Sequence, residues 1–152
     1  DFIMSTMWTK WGKSYINAIN SGRRKPLDYE VTRYNGEPFD YNYNNMMHEK
    51  CMNFLKMAIS TEKEAGKDYI IMTHHSPIVA SCPPWYANTD KQCRFVNPLE
   101  SFVASTGAKA WIFGHTHYNY CSKQGSVPAI CNQYGYTKSD PNYKLDATIE
   151  LD

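Results

Sequence analysis

Residues 69–78 read YIIMTHHSPI, and residues 110–120 read AWIFGHTHYNY. Each stretch is a short apolar run that breaks off into two histidines. Tyr69 to Met72 and Ala110 to Phe113 are too short for helices and continuous rather than alternating, the pattern of strands covered on both faces. Between them lies a helix signal: Asn97 as cap, Pro98 at the first helical position, Glu100 in the first turn and Gly107 after the last. A strand, a helix and a strand in this order predict a crossover that sets the two strands parallel and adjacent. Loops at the carboxyl ends of such strands are where α/β sheets build ligand sites. His74 and His75 would there meet His115 and His117. Gly114 would permit a sharp turn or a close backbone approach. In an extended segment His115 and His117, two apart, would point the same way, with Thr116 facing elsewhere.

Working outward, residues 2–8 (FIMSTMW) read as a short buried strand, and Thr9 to Asn45 reads mostly as loop. From Asn45 onward, Met47, Cys51, Phe54, Leu55, Ala58 and Ile59 follow one helical face, with Gly66 as the stop. Weaker strands are expected at Tyr118 to Cys121, Val127 to Cys131 and Leu145 to Leu151. Helices and strands alternate through the middle, so the fold class is α/β. At 152 residues the chain has the size of one domain with a real core.

Composition excludes several classes. With 42% hydrophobic and 20% charged residues the chain is neither disordered nor membrane-embedded, and no apolar run approaches the roughly 18 residues of a membrane span. Sixteen basic against fifteen acidic residues leave a charge of +1, so no overall field draws the chain onto nucleic acid. The five scattered cysteines differ from a secreted disulfide framework and favour a reducing, cytoplasmic compartment, although Cys82 and Cys93 could bridge one loop.

A lone histidine at a strand end is usually a hydrogen-bonded polar residue. Four histidines at two matched strand ends point instead to metal. His48, on the long helix, reads as structural, and the cysteines as small buried hydrophobes. A rival arrangement groups His115, His117, Cys121 and Cys131 as a structural zinc site. Met46, Met47, Met52 and Met57 read as packing. The aromatic group Tyr34, Phe39, Tyr41 and Tyr43 either lines a cleft or packs a surface loop.

THHSP and GHTH, in this order and about forty residues apart, resemble the last two metal-binding motifs of the calcineurin-like metallophosphoesterase superfamily. STMWTKW (5–11) is similar to the T-L-W-S strand of that family, and MMHEKCMNFLKMAI (46–59) to its H…WL helix. AICNQYGY (129–136) supplies an Asn and a Gly-Tyr pair, Asn132, Gly135 and Tyr136, on a returning strand. The resemblance covers essentially the whole chain. It implies an α/β sandwich of two β-sheets flanked by helices, with residues 1–152 as the C-terminal portion of a single domain. It implies that His74 and His115 bind one metal and His117 its neighbour, with His75 in a catalytic role from behind the ligands. It further implies two divalent ions, of manganese, iron, zinc or nickel, about 4 Å apart, which activate water to hydrolyse phosphate mono- or diesters.

The departures matter as much. The family's Asp-x-His, Gly-Asp-x-x-Asp and Asn-His motifs have no counterpart: no Asp stands two before a His, no Gly precedes Asp and no Asn precedes His. Two dications repel strongly without a shared anion, so the chain alone is expected to be inactive. It also begins directly on a buried strand. An N-terminal half, in the same precursor or in another chain, is expected to bring the carboxylates. The alternative is a catalytically inactive metallophosphoesterase-like binding or scaffold module.

Overall fold

The structure, a computed structural model, describes residues 1–22, 25–135 and 142–151. Its central pair is the expected one: β4 (Ile70–Thr73) and β5 (Ala110–Ile112) are parallel neighbours, with Ile71 opposite Trp111. β1 (Phe2–Ser5) joins β4 in parallel on one side, and β7 (Val127–Cys131) joins β5 in parallel on the other. β6 (Tyr120–Gln124) closes the sheet antiparallel to β7, giving the order β1-β4-β5-β7-β6. Met7, at φ 48°, breaks the first strand sooner than expected.

One face of this sheet is the core. Ile3, Ile71, Trp111 and Ala129 stand in one row across four strands. They pack on Met52, Leu55 and Ile59 of α3 (Tyr41–Glu64) and on Val103 of α4 (Glu100–Thr106). The buried stripe of α3 runs through Asn44, His48, Met52, Leu55 and Ile59. It is rotated from the expected face: Phe54 is 43% exposed, while His48 is buried with Nδ1 bonded to the Trp8 carbonyl at 2.6 Å. Tertiary contact with the Trp8 backbone overrode simple hydropathy. The start of α3 is set by Asp40, whose carboxylate accepts from the N–H groups of Asn42 and Tyr43 at 2.9 and 3.1 Å. A side-chain cap of this kind is worth about 1 kcal/mol.

The other face is only partly covered by the described residues. Met4, Met72, Ile112 and Ile130 form the adjacent row, and none belongs to a core cluster. Phe2 and Met4 are 63% and 66% exposed. A largely parallel sheet is normally covered on both faces, and burying each such side chain is worth about 1.5–3 kcal/mol. Among the described residues, 142–148 approach the β6–β7 end of this face, across a cavity lined by Cys121, Ile130 and Lys144.

The expected loop from Thr9 to Asn45 is in fact structured. It holds α1 (Lys13–Asn20), α2 (Leu27–Val31) and a hairpin of β2 (Arg33–Tyr34) and β3 (Glu37–Pro38). Trp11, Tyr15, Ile19, Tyr29 and Phe39 make a second, aromatic core there, against which Tyr34, Tyr41 and Tyr43 pack. Of the two readings of those aromatics, packing is the one found. Elsewhere, Asn97 does not cap α4: its Oδ1 accepts from the Lys10 N–H at 2.9 Å, and Glu100 accepts from the Val79 N–H at 2.6 Å. Residues 145–151 are not a strand. Cys82 and Cys93 are both free thiols. No described helix is long and apolar enough to cross a membrane.

Candidate metal centre

β4 and β5 end side by side, and hydrogen bonds carry the pairing one step past each strand. The N–H groups of His74 and His75 donate to the Ser5 and Thr6 carbonyls, both at 3.2 Å, and the Gly114 N–H donates to the His74 carbonyl at 3.0 Å. Both histidine segments are thereby locked to the sheet. The chain then turns through His115 at φ 69° and His117 at φ 50°. This left-handed conformation costs a non-glycine residue roughly 1–2 kcal/mol. Gly114, expected to make the turn, does not have a positive φ, and a Cβ there would lie 3.5 Å from the His74 carbonyl oxygen, an ordinary contact. The segment is therefore not extended, and strand alternation does not govern where His115 and His117 point.

Gln133 braces this turn and was not singled out by the sequence. Its Oε1 accepts from the His117 N–H at 3.0 Å, and its Nε2 donates to the Thr116 hydroxyl at 2.8 Å. It sits within the returning AICNQYGY segment, but a single amide carries no periodic signal. Asn132 instead brackets the Lys144 backbone, at 2.7 and 3.0 Å. Gly135 takes φ 78°, and Tyr136 lies outside the described residues.

The imidazoles of His74, His75 and His115 converge. Each offers a ring nitrogen, and these three atoms lie within 4.8 Å of one another. His75, expected behind the ligands, lies within this same group of three. A hydrogen bond of 3.1 Å joins His74 Nε2 to His115 Nδ1. His115 Nε2 bonds the Arg94 carbonyl at 3.1 Å, and His75 Nδ1 bonds the Thr6 carbonyl at 3.2 Å. A carbonyl only accepts, so these two nitrogens carry the protons and the opposite nitrogens keep their lone pairs. Anchoring one imidazole nitrogen on a carbonyl to present the other is the usual support of a metal-binding histidine. His117 stands outside the group of three, though its charge bears on His74 and His115.

Burial, reinforced by His115, pushes His75 down to about 3. Burial and then His74 push His115 down to about 4, and burial followed by His117 lowers His74. All three are neutral at pH 7, the form that binds metal. Three neutral imidazoles with anchored partners fit a divalent ion such as zinc, nickel, iron or manganese. Among the described residues no carboxylate joins them.

These shifts have a consequence for stability. An unfolded histidine takes up a proton near pH 6.5, whereas folded His75 and His115 resist until about 3 and 4. Below pH 6.5 the unfolded state binds more protons, so stability falls with pH, by about 1 kcal/mol per unit for each buried ring. Urea midpoints of the metal-free chain should decrease from pH 7.5 to pH 5, and less steeply in His75→Gln. Equal midpoints at both pH values would contradict the burial of these rings.

The rival zinc arrangement does not form. In the β6–β7 ladder Tyr120 faces Cys131 and Cys121 faces Ile130, so the two cysteines project from opposite faces. Cys131 is buried, with its sulfur near the Tyr118 carbonyl and the Tyr120 N–H, while Cys121 is exposed. Beside the histidines lies a cavity of about 70 Å³, lined by His75, Arg94, Phe95, His115, Trp8 and Tyr29 among others.

No family model matches the chain. It is 27% identical over 172 residues to an uncharacterised protein of Acanthamoeba polyphaga mimivirus, across 99% of this chain and 55% of that protein. Its structure is similar to the crystal structure of phosphopantetheinyl hydrolase from Mycobacterium tuberculosis, with a TM-score of 0.63 over 89% of this chain and 49% of the other. The two chains share a fold. At 10% identity the likeness extends to the fold alone. The chain spans about half the length of both relatives. The α/β class read from the sequence is the one found.

Proposed function

We propose that this chain is the histidine-bearing portion of a single metal-dependent phosphoesterase domain, which hydrolyses phosphate mono- or diesters at a dinuclear centre. The observation that carries this reading is the convergence of His74, His75 and His115, as neutral donors, at the carboxyl ends of β4 and β5. The THHSP and GHTH resemblance and the fold shared with a hydrolase support it. In this reading His74 and His115 hold one ion and His117 its neighbour. Bound ions would supply Lewis acidity, lowering the pKa of water and offsetting phosphate charge. His75, held neutral with Nδ1 on Thr6, acts as donor ligand or hydrogen-bond acceptor rather than as general acid. Arg94 lines the same cavity and presents a planar cation suited to two phosphate oxygens. Carboxylates come from a segment outside these residues, in the same polypeptide or another chain, and the partly covered sheet face, where Phe2 and Met4 are exposed, offers that segment a place to pack.

The test is hydrolysis of p-nitrophenyl phosphate and bis-p-nitrophenyl phosphate by the protein together with its carboxylate-bearing segment, with and without manganese. Turnover that needs metal and disappears in His115→Ala supports the proposal. Tight metal binding with no turnover of any ester would favour the binding-module reading, for which the absence of a carboxylate beside the described histidines speaks.

A further inference from the structure

The loop between β4 and α4 carries three aromatic residues that neither core uses: Trp85, Tyr86 and Phe95. Its base is closed. Ser76 pairs with Val96, the Asn97 N–H donates to the Ser76 carbonyl at 2.9 Å, and the buried hydroxyls of Ser76 and Ser81 share a bond of 2.6 Å. Outward from the histidine cluster the rings form a ladder. His115 lies 5.6 Å from Phe95, and Phe95 stacks on Tyr86 at 4.6 Å with planes 14° apart. Trp85 then stands 6.3 Å from Tyr86, edge to face, and is 66% exposed. The Arg94 guanidinium sits 5.7 Å from the Phe95 ring centre, where the ladder meets the cavity shared with His75 and His115.

Exposed aromatic rings on a loop lose the favourable burial that cores give them. Here Trp85 is exposed while Tyr86 and Phe95 are half-buried and stacked, in a line that starts at the histidine cluster, with a cation at the junction. We propose that Trp85 and Tyr86, backed by Phe95, form a subsite for a planar, nucleobase-sized ring on the alcohol part of the substrate. The phosphate would lie towards Arg94 and the histidines. The phosphate half of this inference rests on the phosphoesterase reading, whereas the ring half stands on the loop alone. Because every base has a π-face, such a platform selects flat rings over sugars or alkyl groups without reading base identity.

Calorimetry with the manganese-supplemented protein can separate the two halves, using adenosine 5′-monophosphate, ribose 5-phosphate and adenosine as probes. Adenosine 5′-monophosphate should bind about 10-fold more tightly than ribose 5-phosphate. In the double variant Trp85→Ala, Tyr86→Leu, checked for folding by circular dichroism, its affinity should fall to that of ribose 5-phosphate, which should itself be unchanged. Equal binding of the two phosphates by the unaltered protein would overturn the ring subsite and leave the phosphoesterase reading standing. So would a preference that survives in the double variant. Adenosine binding as tightly as its monophosphate, with ribose 5-phosphate silent, would uphold the ring subsite and count against the phosphoesterase reading.

Discussion

His74→Ala should weaken the binding of zinc by this chain at least about 100-fold, and His115→Ala should do the same. Removing even an outer partner of a metal ligand typically costs 10–100-fold, and here a donor itself is lost. His74 Nε2 and His115 Nδ1 already share one hydrogen bond at 3.1 Å, so an ion between them would take the place of that proton. The two positions act as a unit, and the double variant should bind little worse than either single one. His75→Ala should fall in the same range, because its nitrogen completes the group within 4.8 Å. His117→Ala is the informative contrast: it should change the first ion's affinity by less than about 10-fold. Competition titrations against a chromophoric chelator would measure all five variants. Binding unaffected by His74→Ala would remove the metal centre from consideration.

Trp111→Ala should destabilise the fold by about 3–5 kcal/mol, a large share of the roughly 5–15 kcal/mol that holds a domain together. The ring is fully buried in the middle strand of the sheet and meets Phe102 of α4 edge to face at 6.1 Å. Chemical denaturation would register the loss, and failure of the variant to fold would agree with it. The milder Trp111→Phe tests something further. The Trp111 indole N–H donates to the Thr73 hydroxyl at 2.9 Å, which in turn donates to the His75 carbonyl at 2.8 Å. This short chain ties the core to the backbone of the histidine cluster. The Phe variant should lose about 1–2 kcal/mol and bind zinc up to about 10-fold more weakly, through displacement of His75. Unchanged zinc affinity in a folded Phe variant would show that the Trp111 N–H does not position His75.

The parts of this architecture that sequence reveals are those governed by local periodicity or by two matched motifs. β4, β5 and β7 are apolar runs with abrupt polar ends, and the buried stripe of α3 is long enough to survive a rotation of its expected face. The meeting of His74 with His115 follows from the parallel strand pair. Other features depend on distant partners. α1 spans eight residues with only Tyr15 and Ile19 buried and no side-chain cap, so little marks it locally. The second core it serves is built of aromatics from four separate segments. Leu145 and Leu151 have the residue types of a strand but pair with no strand among the described residues. The left-handed torsions at His115 and His117 could not be read, because histidine rarely adopts them without bracing such as Gln133 provides. That is why His75, and not His117, completes the observed triad.

Met4 and Met72 are register partners on the less covered face of the sheet, and His74 lies two residues beyond Met72 on the rim of the same groove. Met4 is exposed and Met72 half-buried beside the histidine cluster; peroxide would place a polar, chiral oxygen on each sulfur it reaches, in a row otherwise made of carbon and sulfur. Once oxidised, the row would pack poorly against any apolar cover; once covered, its sulfurs would be shielded. The rate at which peroxide oxidises Met4 and Met72 would therefore report whether this face stands open or covered.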